Sequence, residues 1–340
     1  MKSRAMWSAI GAPLLLLVTV GTLAGAVQRY ASPRGGLQLP VAMRDEGDPR
    51  IRTGNTAYPR EAIDSDNITV RIARPTHRIV SQFWSIDEFV YSVAPPQDVV
   101  AVSSSAYMQG ISNVYPMTQK FHPALASDVE KVIALDPDLM LVSSTGRADY
   151  TSLARSSGVP VYRVQTMFET LDQIEQAIRL TGYLTGNDQR AEEEAQKFHG
   201  AIAQAEAMRL PGAAKPRILG LGGRFGYGKD TLFDDIANRL GAINVAAENG
   251  LTGYNELDFE QIIRWNPEWL FVEVQQGNAR GTLEDLLADP AILLTQAARN
   301  GHIVVLENSV FLPMSPYTRL LVKAMADALY GGPNAAVNHE

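Results

Sequence analysis

Residues 127–142 read SDVEKVIALDPDLMLV, and residues 257–272 read LDFEQIIRWNPEWLFV. Aligned without gaps, the two stretches share Asp128/Asp258, Glu130/Glu260, Ile133/Ile263, Pro137/Pro267 and Val142/Val272. Asp136/Asn266 and Asp138/Glu268 are near-matches. Each copy reads as a helix opened by an acidic cap and stopped by a proline, because proline cannot continue a helix and pushes its predecessor out of the α region. The apolar run after each proline reads as a buried strand. Two copies more than a hundred residues apart mark two lobes built alike, not a short-period solenoid. Two lobes leave a cleft between them, and clefts at domain interfaces are where ligands bind.

A chain of 340 residues can bury a large core and is expected to split into about two domains. Its net charge of −7 argues against nucleic acid as the main partner. With 46% apolar and 20% charged residues, the chain is globular, neither disordered nor a multi-span membrane protein.

Residues 1–26 read as a signal peptide: Lys2 and Arg4 precede an apolar stretch, and Ala24-Gly25-Ala26 forms a small-residue cleavage site. The rival reading, an uncleaved anchor, suffers from Pro13, Gly21 and Gly25 within the span. The sequence contains no cysteine, which excludes a disulfide scaffold, cysteine-ligated metal, thiol chemistry and lipid attachment at an export signal. The expected location is free in the periplasm.

Residues 27–74 are expected to form a leader or linker, with a lone strand at 67–72. A first αβ lobe follows at 75–167, where strands at 78–81, 99–102, 139–142 and 161–164 alternate with helices at 85–93 and 129–135. That alternation signals βαβ units and a mostly parallel sheet. Residues 168–210 form a helical connection broken at Gly186-Asn187. Its second helix, 188–208, carries Ala191, Ala195, Phe198, Ile202 and Ala205 in one apolar stripe. At 1.5 Å per residue it spans about 30 Å, enough to run from one lobe to the other. A second αβ lobe occupies 211–332, and 333–340 is a tail.

Four stretches carry a resemblance: RIVSQFWSIDEFVYSV (78–93), VEKVIALDPDLMLVSS (129–144), GYGKDTLFDDIANRLGAINVAAENGL (226–251) and FEQIIRWNPEWLFVE (259–273). From about residue 75 to 330 the chain resembles the substrate-binding proteins of bacterial ABC importers for ferric siderophores and cobalamin. The resemblance implies two lobes on a single interlobe helix, limited closure on binding, no enzymatic activity and a monomer. It implies an ABC permease with its ATPase as partners and a metal chelate as the ligand, with no cofactor of the protein's own. Glu130 and Glu260 match the pair of glutamates, one per lobe, that dock into arginines of the permease. Glu88 matches a glutamate common in the first helix, where its role reads as structural.

Glu130 has a competing explanation, since Ser127-x-x-Glu130 fits a capping box. The second copy has Leu257 where that box needs Ser or Thr, yet keeps Glu260.

Ligand contacts are expected on loops leaving the carboxyl ends of the strands. These are residues 83–84, 103–107 and 143–147 on the first lobe, and 222–227, 252–254, 275 and 311–315 on the second. Trp84, Tyr107, Arg147, Arg224, Phe225 and Tyr227 have the character to hold an aromatic, partly anionic guest. Each could equally be an ordinary loop or packing residue. The glycine-rich run 220–231 imitates a phosphate loop, but Asp230 stands where Ser or Thr would hold magnesium. The five histidines are scattered without metal-binding spacing, His122 alone sitting in a plausible cleft loop. No G-x-S-x-G elbow supports the rival reading of a secreted hydrolase. A ferric siderophore is the expected ligand, with cobalamin the alternative. An exported adhesion or scaffold protein is the remaining rival.

Overall fold

The computed structural model describes residues 50–51, 56–121, 128–209, 212 and 214–331. The proposed signal peptide, Ser127 and His122 therefore lie outside the described residues.

The chain enters through a hairpin, β1 (Arg60–Ile63) and β2 (Thr69–Ile72), paired antiparallel. The first lobe continues through β3 (Ile79–Ser81), α1 (Trp84–Val93), β4 (Val99–Ala101), α2 (Tyr115–Thr118) and α3 (Val129–Ile133). It ends with β5 (Leu139–Ser143), α4 (Ala148–Ser156) and β6 (Val161–Val164). Its sheet is parallel throughout, in the order β4-β3-β5-β6. Along β5, Leu139 and Leu141 enter one core while Met140 and Val142 enter another, so the sheet is covered on both faces.

The hairpin differs from the expected leader. Residues 60–72 are fastened both to the first lobe, where Arg155 pairs with the buried Asp64, and to the two helices that follow it, by charges that the sequence disguises as linker polarity. The Arg60 guanidinium, 3% exposed, donates to the Tyr183 carbonyl at 2.6 Å and pairs with Asp188 at 2.7 Å. Ser65 N–H donates to the Arg163 carbonyl, so the turn after β1 also covers the edge strand β6.

Two helices leave this lobe, α5 (Leu171–Thr185) and α6 (Asp188–Ala207). The Thr170 side chain caps α5 by accepting from Gln173 N–H, and Gly186 ends it in the left-handed region at φ 75°. The stripe on α6 is buried: Ala191, Ala195, Phe198, Ile202 and Ala205 are each at most 5% exposed. They join one core with Phe89 and Val93 of α1 and with residues of the second lobe.

The second lobe runs β7 (Arg217–Gly222), β8 (Phe225–Tyr227), α7 (Leu232–Arg239), β9 (Ile243–Asn244), α8 (Val245–Glu248) and β10 (Tyr254–Glu256). It continues with α9 (Phe259–Trp265), β11 (Trp269–Val274), α10 (Ala279–Ala288), α11 (Pro290–Leu293) and α12 (Gln296–Arg299). β12 (Ile303–Glu307), α13 (Asn308–Phe311) and α14 (Thr318–Tyr330) complete it. The sheet order is β10-β8-β7-β11-β12, with β9 also beside β7. β7, β9, β11 and β12 are mutually parallel where they pair, whereas β8 and β10 run antiparallel. The glycine-rich run is thus a hairpin, with Gly222 opposite Phe225 across a turn in which Gly223 takes φ 59°. Helix α14 packs back on α6, binding both helices of the connection into the second lobe.

The α5–α6 contact depends on the missing side chain of Gly182. A Cβ there would collide with the Cβ of Ala191 and lie 3.1 Å from the Asn187 carbonyl. Gly182→Ala should therefore lose about 1–3 kcal/mol by overpacking, although alanine gains about 1 kcal/mol over glycine in helix propensity. Denaturant unfolding checks this, and Ala191→Gly in the same chain should recover part of the loss. A single variant as stable as the parent contradicts the packing argument.

Candidate functional site

The carboxyl ends of both sheets open onto the boundary between the lobes, where loops touch across it. Gly110, after β4, packs against Gln276, after β11. The Asn113 side-chain amide donates to the Ser309 carbonyl at 2.9 Å. The Ser315 hydroxyl donates to Glu88 Oε2 at 2.5 Å.

Two adjacent acids of α1 hold the first lobe's side of this boundary. Asp87, fully buried, accepts from Ser81 Oγ, from Ser103 N–H at 3.1 Å and from Ser103 Oγ at 2.5 Å. It thereby ties the ends of β3 and β4 to one helix. Burial pushes its carboxyl up to about 7, against the opposing pull of the serine hydrogen bonds. Glu88 is equally buried and is pushed up to about 7 for the same reason, against its bonds to Ser315 and Asn113.

The residues expected to bind ligand take four different settings. Trp84 is the first residue of α1 and only 6% exposed, its ring tilted against Phe83 at 5.9 Å, so it packs where a loop contact was expected. Tyr107 is half-buried; burial first and nearby Asp87 second push its phenol up to about 12. Arg147 is exposed and paired with Asp149, whose carboxyl it holds below its usual range. Arg224, at the tip of the β7–β8 hairpin, is exposed and lies 3.4 Å from Glu256.

Phe225 and Tyr227 share a face of β8. Tyr227 lies deeper than the loop placement expected: it is 8% exposed, donates its hydroxyl to Glu273 Oε2 at 2.7 Å and meets Tyr254 edge-on at 5.1 Å. Phe311 packs beside it at 5.4 Å. Burial and the neighbouring Glu273 hold the Tyr227 phenol well above its usual range. Gly222 leaves room for this pair, since a Cβ there would strike the Tyr227 hydroxyl and the Glu273 carboxyl. The structure therefore gathers an aromatic wall on the second lobe, while the two arginines stand apart, each engaged by a carboxylate.

Sequence reasoning missed Glu273, although an acid inside the apolar strand WLFVEV was a visible signal. It also missed Asn113 and Ser309, whose bond joins residues far apart in the chain and leaves no local trace. Among the described residues no three His, Cys, Asp or Glu side chains converge as a metal site.

The repeated helices α3 and α9 settle the capping question. Asp128 and Asp258 are the caps, accepting from the N–H groups of Lys131 and Gln261. Gln261 also returns a bond to Asp258 N–H, completing a capping box in the copy that seemed to lack one. Glu130 is therefore not a box member, because the third helical position belongs to Lys131. Glu130 and Glu260 occupy the same second position of equivalent helices, and both are exposed.

Two αβ lobes around a loop-lined boundary, joined by a buried helix, define a solute-binding architecture. The family described as periplasmic binding protein matches residues 79–310, more than half of the chain, and the chain belongs to it. A cobalamin-binding protein of Halobacterium salinarum is 23% identical over 278 residues, covering 81% of this chain and 75% of that protein. The iron(3+)-hydroxamate-binding protein FhuD of Bacillus subtilis is 26% identical over 192 residues, covering 52% of this chain and 58% of its own. The apo structure of the periplasmic heme-binding protein RhuT from Roseiflexus sp. RS-1 superposes with a TM-score of 0.65 at 26% identity, covering 77% of this chain and all but 1% of that one (99%). The family and these neighbours are described as binding proteins, and a further relative from Bacillus subtilis, 24% identical over 242 residues, is described as an ABC transporter substrate-binding lipoprotein.

Proposed function

We propose that this protein is exported through residues 1–26, works free in the periplasm without a lipid anchor, and delivers a corrinoid such as cobalamin to an ABC permease. The observation that carries the corrinoid is the state of the two arginines. Arg147 is occupied by Asp149 and Arg224 by Glu256, so neither presents an uncommitted charge to an anion. Apart from them, Phe225 and Tyr227 share a face of β8, and Tyr254, Phe311 and the Glu273 carboxyl gather around Tyr227, a wall suited to a large, nearly neutral macrocycle and unfavourable to a polyanion. The similarity to a cobalamin-binding protein over most of both chains supports the same reading.

A ferric siderophore is the second reading. Exposed ion pairs are worth about 0–1 kcal/mol, so an anionic ligand could exchange with Asp149 or Glu256 at little cost. A charge-assisted bond to the freed arginine is worth roughly 1.5–3 kcal/mol. The similarity to an iron(3+)-hydroxamate-binding protein points the same way.

Equilibrium binding of cyanocobalamin, haemin and a set of ferric siderophores separates these. On the corrinoid reading, cyanocobalamin binds, Arg147→Ala and Arg224→Ala change its affinity less than about twofold, and Phe225→Ala or Tyr254→Ala weakens it about tenfold, the loss of roughly 1.4 kcal/mol of aromatic contact. A siderophore that binds instead, and weakens ten- to a hundredfold in the arginine variants, would overturn it. Binding of haemin alone would equally replace the corrinoid.

Glu130 and Glu260 are the proposed permease contacts. The supporting observation is that both copies of the repeat keep the glutamate while a different residue, the aspartate, caps the helix. Glu130→Arg and Glu260→Arg should leave ligand affinity and melting temperature nearly unchanged and abolish uptake in cells, since reversing a rim charge chiefly harms encounter and register. Normal uptake by both variants would refute the docking role.

A further inference from the structure

One arginine holds the loop that follows β5. Arg163, on the edge strand β6, donates from Nη2 to the Ser144 carbonyl at 2.6 Å and to the Gly146 carbonyl at 3.3 Å. Its Nε donates to the Ser143 carbonyl at 3.3 Å. Three carbonyls of one turn therefore converge on one guanidinium. The turn itself is tight: Gly146 N–H donates to the Ser143 carbonyl at 3.0 Å, and a Cβ on Gly146 would lie 3.1 Å from that oxygen. The Ser143 hydroxyl meets those of Thr145 and Thr166, each at 2.8 Å. These residues end β5 and lead into α4 at the carboxyl edge of the first sheet, among the loops expected to meet ligand.

Arg163 is in turn gripped by the amino-terminal hairpin. Its Nη1 donates to Asp66 Oδ1 at 2.6 Å, its carbonyl accepts from Ser65 N–H at 3.0 Å, and its N–H donates to Asp64 Oδ2 at 3.4 Å. Arg155 of α4 braces the same two acids, reaching Asp66 at 2.9 Å and Asp64 at 2.5 Å. The Arg163 side chain is only 14% exposed, and carbonyl dipoles alone would leave its charge poorly compensated, so the Asp66 carboxylate is part of the arrangement. The hairpin lies before residue 79, where the family match begins.

We propose that Arg163 is a positioning residue for the ligand loop 143–147, and that the hairpin turn Asp64–Asp66 holds Arg163 in place for that task, a role that rests on ligand binding at the carboxyl ends of the strands. A loop shaped before the ligand arrives avoids the ordering cost that binding would otherwise carry. The task needs a planar fork. A lysine could keep Asp66 as a partner, but its single ammonium cannot span the three carbonyls. An ion pair that served only to fasten the hairpin would make no such demand.

Amide exchange of the ligand-free protein and equilibrium binding of cyanocobalamin, measured on the parent, Arg163→Lys and Asp66→Ala, test this. In Arg163→Lys the amides of residues 144–146 should exchange at least about tenfold faster, the loss of one hydrogen bond to a charged group, while those of residues 60–72 keep the parental rate. In Asp66→Ala the loop should quicken as well, although none of the loop carbonyls is bonded to Asp66. Asp66→Ala carries the test if Arg163→Lys does not fold. Cyanocobalamin should bind both variants roughly three- to tenfold more weakly, since the loop must now be ordered on binding. Loop amides at the parental rate in either variant overturn the proposal, as does unchanged cyanocobalamin affinity in a variant whose loop has quickened. A parent that binds no cyanocobalamin refutes the corrinoid reading instead, and the exchange rates of the ligand-free proteins still decide the role of Arg163.

Discussion

The apolar stripe of α6 is the constraint on which the rest depends. Ala191, Ala195, Phe198, Ile202 and Ala205 can leave water only by packing against both lobes at once, and they do so within a single core. Fully burying a phenylalanine or isoleucine is worth roughly 1.5–3 kcal/mol each, so the two lobes share a rigid, stabilising element. Three alanines and Gly182 keep α5 and α6 close, and that closeness makes the connection a strut instead of a tether.

Once the strut is fixed, the lobes can differ only in how their loops meet. The parallel strands of each sheet end at the boundary, so every loop leaving a carboxyl end becomes a candidate contact. The contacts that form without ligand are polar and few: Asn113 with Ser309, Glu88 with Ser315, and the close approach of Gly110 to Gln276. A boundary of this kind opens at modest cost. The permanent apolar core lies instead around α6, where opening would be expensive.

Much of this was legible in the sequence, for physical reasons. The repeated helix–proline–strand pattern revealed two lobes because capping and proline stereochemistry are local. The stripe revealed the connecting helix because periodicity is local too. The strand expected at 67–72 appears as β2, but its partner β1 was missed because REAI is charged, Arg60 becoming acceptable only when Asp188 folds against it. β8 is three residues long and escaped for want of a pattern. The candidate site was less legible. Residue type suggested Trp84 and Tyr227 as loop contacts, but both are buried, and only the fold shows Arg224 beside Glu256. Arg147 and Asp149, two residues apart, were a pair that the sequence could have shown.

The central claim is that solute binds between the lobes at the carboxyl ends of both sheets. Amide hydrogen exchange with and without a saturating ligand tests it most directly. The account predicts simultaneous slowing in residues 103–114 and 144–147 of the first lobe and in residues 222–227, 275–277 and 308–315 of the second, with α6 equally protected in both states. Slowing confined to one lobe, or at the amino ends of the strands, would contradict it.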